Sequence, residues 1–160
     1  MNYKERYENL LKEQEQVVRD QVLLKNLYNS IPSAVAVTTP AGIVTMINSE
    51  FTNLFGYSQK EVTGKSLNDL VVPDDLKEEA EHIDILSTFN LKDIKQAIRK
   101  DKHGNRLFVS IVARGIPIDN EIVAQLVIYN DVSAERKKQL LQEILFNIST
   151  AVIKQYDLKD

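Results

Sequence analysis

Cysteine and tryptophan are absent from this chain of 160 residues, and it holds only two histidines, four prolines and five glycines. Without cysteine there is no disulfide, no thiolate nucleophile and no cysteine-ligated metal. Two histidines and no cysteine leave nothing from which to assemble a nucleophile, a base and an orienting group, so a free-standing enzyme is not expected. Long apolar runs are missing too: none approaches the roughly 18 residues that cross a bilayer, and the opening MNYKERYENLLKEQEQ lacks a signal-peptide core. A net charge of -3 lacks the basic footprint on which nucleic-acid binding rests. What is present is 43% apolar and 27% charged, the make-up of one globular domain with attachments. A cytoplasmic location is expected, with a membrane anchor elsewhere in a parent protein left open.

Residues 1–28 contain neither glycine nor proline. Within them Tyr3, Tyr7, Leu10, Gln14, Val17, Gln21, Leu24 and Tyr28 step by four and three, the spacing of a heptad seam. A helix of this length spans about 40 Å at ~1.5 Å per residue, too long for a core helix of so small a domain. It reads as a dimeric coiled coil, the alternative being one amphipathic helix lying on its own domain. Ile31-Pro32 ends it, because proline excludes helical geometry from the residue before.

Two short strands follow, SAVAVTT and GIVTMIN, joined by Pro40-Ala41-Gly42. Short helical pieces come next. In SQKEVTG, Ser58 and Glu61 have capping-box spacing and Gly64 is placed to stop the helix. Pro73 leads a further helix start, and strand character returns at DIKQAIRK, RLFVSIVARGIPI and EIVAQLVIYND, the last two joined by Asp119-Asn120. Strands flanking a helical middle predict an α+β fold, an antiparallel sheet with helices on one face. The final strand is apolar on both faces, so the long helix or a partner subunit is expected to cover the outer one. The boundaries read as an N-terminal helix over 1–28, a domain over 29–133, and a helix with the start of a next domain over 134–160.

Two clusters carry ambiguous chemistry. Glu78 and His82 share a helix face and are spaced for a divalent ion, but no third ligand follows, and the acids around them read as a solvated face; no metal site is assigned. The basic run from Arg99 to Arg106 lacks a phosphate-cradling glycine loop and reads as a charged hairpin tip.

The segments IPSAVAVTTPAGIVTMINSEFTNLFGYSQKEVTGKSLNDLVVPDD, KDKHGNRLFVSIVARGIPID and DVSAERK together resemble a PAS sensor domain, over approximately Leu27 to Lys138. The resemblance implies a five-stranded antiparallel sheet of order 2-1-5-4-3, short helices cupped on one face around a small pocket, and signalling helices at both ends. It implies a non-catalytic sensory module that binds a small ligand or relays a signal through a homodimer. That dimer is expected to form through the N-terminal helix and the outer sheet face. A ligand-free dimerisation and relay segment is the alternative. The cofactor is left unknown. Covalent flavin photochemistry is excluded, since it needs a cysteine, and the missing tryptophan lowers the case for redox flavin. Haem is disfavoured: the family's ligand position falls on Ala80, and His82 stands two places on.

Carried onto this chain, the concave face takes Val109 and Ile111 from the fourth strand and Gln125, Val127 and Tyr129 from the fifth. Phe51, Leu54 and Phe55 come from the first short helix, with Thr45 and Ile47 beneath. The closing Asp131-Val132-Ser133 matches the family triplet that ends the last strand and starts the output helix, with Glu135 and Arg136 in its first turn. An extra Ala134 separates the triplet from Glu135-Arg136-Lys137. Lys137, Leu141, Ile144, Ile148 and Ala151 form a second four-three seam. The tail resembles the opening helix of a GAF domain, and the expected context is a longer signalling protein with a C-terminal output domain in cis. A histidine kinase of a two-component system is the first expectation for that output and a diguanylate cyclase the second.

Overall fold

The computed structural model describes residues 2–81 and 95–157. His82, on which the metal and haem readings turn, lies outside the described residues. Helix α1 (Tyr3–Ser30) begins on a capping box between Asn2 and Glu5 and ends at Ile31, ahead of Pro32. Strands β1 (Ala34–Thr38) and β2 (Val44–Ile47) follow. Three short helices come next: α2 (Ser49–Phe55), α3 (Gln59–Val62) and α4 (Leu67–Val71). A 3-10 turn at Asp74–Leu76 leads into helical residues 77–81. Strands β3 (Lys95–Lys100), β4 (Arg106–Ile118) and β5 (Glu121–Asp131) complete the sheet, and helix α5 (Ser133–Asp157) leaves it.

The sheet is antiparallel throughout, in the order β2-β1-β5-β4-β3. Its turns are written locally. Asp119 and Asn120 take φ of 49° and 65°, the double left-handed geometry of a two-residue hairpin, which short polar side chains tolerate. In α3 the capping box between Ser58 and Glu61 forms as its spacing predicts, and Gly64 turns the chain at φ 81°.

One strand departs from simple alternation. Ala36 pairs with Ile47 and Val37 with Met46, but Thr38 pairs with Val44, so Thr45 is the extra residue of a β-bulge. Val44 and Ile47 therefore both turn inward, while Thr45 faces solvent and its hydroxyl donates to the Val37 carbonyl at 3.1 Å. The expectation that Thr45 lines the interior is corrected accordingly. Strict alternation cannot survive an inserted residue.

The core lies between the inner sheet face and the short helices. Phe51, Phe55, Val62 and Val71 from the helices meet Ala36, Val109 and Ile111 from the strands, all buried. The outer face is different. Val112, Leu126 and Ile128 are half-buried there, and Phe108 and Ile122 are exposed. Helix α1 does not lie across it, since none of its residues is buried. The reading of α1 as a helix packed on its own domain is set aside by that exposure.

Candidate functional site

The interior assembles nearly all the residues that strand alternation and the family resemblance place there. Ile47, Phe51, Phe55, Val109, Ile111, Gln125, Val127 and Tyr129 are buried, and Leu54 packs half-buried against them. Three aromatic rings pack together there. Phe51 and Phe55 lie 4.7 Å apart, and the Tyr129 ring stands edge-on to both, at 6.3 and 5.1 Å. Among the described residues, a cavity of about 20 Å³ is bordered by Leu67, Asn68, Ala80, Arg99, Ile111, Ala113, Gln125, Val127 and Tyr129. That holds about one water molecule. It is far below the several hundred cubic ångströms of a typical ligand pocket.

Arg99 corrects the reading of the basic run as a solvated hairpin tip. Its residue is 2% exposed, on the same side of β3 as buried Ala97. Lys102 to Arg106 do form the exposed tip. Arg99 was legible in principle, because it stands two positions from Ala97 on a strand and so shares its face. Its charge hid the signal.

The strand-to-helix corner is held by several hydrogen bonds. Val132 donates its N–H to the Phe108 carbonyl at 2.9 Å, and the Phe108 N–H donates to the Ser133 hydroxyl at 3.3 Å, which carries the β4–β5 pairing past the end of the strand. The Asp131 carboxylate accepts the Ser133 N–H at 2.9 Å, satisfying one of the free donors at the helix start. The Arg136 N–H closes the first turn onto the Val132 carbonyl at 2.9 Å. Its guanidinium sits 5.8 Å from the centre of the Phe108 ring, in cation–π range. Glu135 is exposed, and among the described residues no ion pair joins it to Arg136.

Sequence reasoning missed the matching joint at the other end of the domain. Asn48, 1% exposed, accepts the N–H of Val35 at 2.8 Å and of Phe51 at 3.0 Å, and its amide donates to the Ser33 carbonyl at 2.9 Å and, at 3.4 Å, to that of Tyr28. One side chain thus caps α2 and pins the end of α1 to β1. The Tyr28 hydroxyl donates to the Val35 carbonyl at 3.1 Å, and burial pushes its pKa well above the ordinary tyrosine value. The position of Asn48, just before the helical run SEFTNLF, was the available signal.

The PAS fold family model matches residues 23–121, more than half of the chain. The chain belongs to the PAS family. Solved PAS domains share its fold. That of an HTR-like protein from Haloarcula marismortui is 20% identical with a TM-score of 0.60, covering 75% of this chain and 98% of its own. One from Colwellia psychrerythraea is also 20% identical, with a TM-score of 0.63 and coverage of 74% and 98%. The PAS domain of a LuxR-family transcriptional regulator from Burkholderia thailandensis, solved in complex with ethanol, is 16% identical with a TM-score of 0.57, over 68% of this chain and 96% of its own. At these identities the likeness is one of fold. No curated protein matches the sequence. PAS domains are sensory and signalling modules, and no catalytic family is indicated. Among the described residues no helix is long and apolar enough to cross a membrane, and no group of three acids or histidines is placed to hold a metal ion.

Proposed function

We propose that this PAS domain is a non-catalytic sensory relay that passes a change in its interior, through α5, to an output domain in the same polypeptide. The observation that carries the reading is the bonded corner at Phe108, Val132 and Ser133. A strand and a helix that share hydrogen bonds across their junction move as one lever, so a shift of β5 rotates or slides α5. Tyr129 and Val127, on the same strand, face the interior, which gives the lever its input end. A ligand acts on such a lever only if it binds the two positions differently.

Within this reading the partner is a second copy of the chain, met through α1 and the outer sheet face. Leu10, Val17 and Leu24 of the α1 seam are each more than half exposed in the single chain, which supports such pairing. Leu141, Ile144 and Ile148 of α5 are exposed as well, as a helix running on toward a following, GAF-like domain would be. The output is assigned first to a histidine kinase and second to a diguanylate cyclase, in the cytoplasm.

The close packing of Phe51, Phe55 and Tyr129 favours a second reading, a relay that works without any ligand. Hydrogen exchange tests the lever common to both. The first-turn amides of α5 should be protected in step with those of β5. Exchange of that turn on its own, independent of the strand, would overturn the relay.

A further inference from the structure

Where the seam of α1 reaches the domain, it forms one wall of a groove. In heptad order Tyr7, Gln14, Gln21 and Tyr28 fall at position a, and Tyr3, Leu10, Val17 and Leu24 at d. The C-terminal three, Gln21, Leu24 and Tyr28, line an open groove of about 780 Å³. Its other wall is Met46 of β2 with Ser49 and Thr52 of α2. Leu24 is 65% exposed and Met46 42%. The walls are held in place. The Tyr28 hydroxyl donates to the Val35 carbonyl at 3.1 Å and to the Met46 carbonyl at 3.4 Å. The Ser49 N–H donates to the Asn29 side-chain carbonyl at 3.1 Å, and its hydroxyl to the Asn29 backbone carbonyl at 3.2 Å. Met46 pairs with Val37, which pairs in turn with Leu126 of the outer sheet face. The groove therefore joins the two surfaces through which pairing is proposed.

We infer that this groove receives the last two turns of α1 from a second copy of the chain, in parallel register. The inference rests on the proposed pairing through α1 and names the part of the domain body that takes the partner. Helices that pack side by side run with their axes about 8–10 Å apart. Beside Gln21, Leu24 and Tyr28 that place is the groove, so a partner following the seam to its end lies against Met46, Ser49 and Thr52. Side chains of a helix face need far more room than the one water that the interior cavity holds, and the groove has it.

Polar groups on α1 specify both the occupant and its direction. Asp20 stands at position g and Lys25 at the e position that follows. A parallel pair of identical helices sets g of one beside e of the other five residues on, so each Asp20 meets a Lys25 of the second copy. Lys25 itself lines the groove. Among the described residues neither Asp20 nor Lys25 is in an ion pair within its own chain. Gln21, at position a, faces its own counterpart, and an amide carries both donor and acceptor, so two glutamines satisfy each other. An antiparallel pair sets a against d and loses both matches.

The chain has no cysteine, so one introduced thiol reports without background. Leu24→Cys of the full chain, left in air, should form a disulfide-linked dimer, because d meets d across a parallel pair within disulfide reach. Met46→Glu and Thr52→Glu each place a charge on the wall that the partner covers. Each should raise the dimer dissociation constant at least about tenfold in sedimentation equilibrium, since an unpaired charge resists burial. Both residues are exposed in the single chain, and either variant decides the matter if the other does not fold. Lys12→Glu, on the side of α1 away from the seam, should leave the constant unchanged; a loss of the same size there overturns the groove. A linked dimer indifferent to both wall variants also overturns the groove and leaves the pairing through α1 standing. A dimer that Leu24→Cys does not link overturns the parallel register and the groove with it. A monomer overturns the inference together with the pairing on which it rests.

Discussion

The Ser33 hydroxyl donates to the Asn130 side-chain carbonyl at 2.6 Å, tying the residue before β1 to the penultimate residue of β5. Ala34 pairs with Tyr129 beside this link. The chain thus comes out of α1 and enters α5 at the same end of neighbouring strands. Two long helices with little purchase on the domain are each fixed to its sheet within a few residues of one another. Whatever moves β1 against β5 acts on both helix roots together.

The corner of α5 is open to direct test. Asp131→Ala with Ser133→Ala removes the cap on the Ser133 N–H and the acceptor of the Phe108 N–H. Each is a partly exposed hydrogen bond worth about 1 kcal/mol, so a loss of roughly 1–2 kcal/mol in urea unfolding is expected, with the fold retained. In a longer polypeptide carrying the proposed output domain, a stimulus response should be lost. A response equal to that of the unaltered protein would refute the lever.

Asn48→Ala should be the costlier change. It strips the α2 cap and leaves the Val35 and Phe51 N–H groups without their acceptor in a buried place. A loss of about 2–4 kcal/mol is expected from chemical denaturation. Asn48→Asp keeps the acceptor but not the amide donor, and should fall between the two.

Acid should loosen the docking of α3 on the β3–β4 turn. The Glu61 carboxylate bonds the Lys102 ammonium first and the Ser58 N–H second, and these hold its pKa down at about 2 from the ordinary 4.5. A carboxyl with a lowered folded pKa contributes stability above the ordinary value and loses it as pH falls toward the folded one. Melting temperature should therefore drop between about pH 4.5 and 2, and Glu61→Gln should flatten that part of the profile. A Glu61→Gln profile superimposable on the unaltered one would exclude this carboxylate as the cause.

The proposed dimer is open to test at α1. Light scattering should give the mass of a dimer, and Leu10→Glu with Val17→Glu should give that of a monomer with its melting temperature little changed, since neither side chain is buried in the single chain. A monomer before substitution would remove the coiled coil from the account.

Local chemistry in the sequence determined a good deal by itself. The Asp119-Asn120 hairpin, the Ser58–Glu61 box, the stop at Ile31-Pro32 and the inward set on β4 and β5 all depend on neighbours within a few positions or on a period of two. Strand order came from the family resemblance, which the sheet bears out. Tertiary structure decided the rest. The bulge at Thr45 puts Val44 in the inward place, where its backbone also bonds Gly64 and Lys65 just beyond α3. Arg99 turned inward because β3 has a fixed pleat, and a pleat buries whatever residue falls on its face, charged or not. The meeting of Phe51, Phe55 and Tyr129 brings rings from α2 and β5 into one volume. No single segment carries that information, because packing is a property of segments that are distant in the chain and adjacent only once folded.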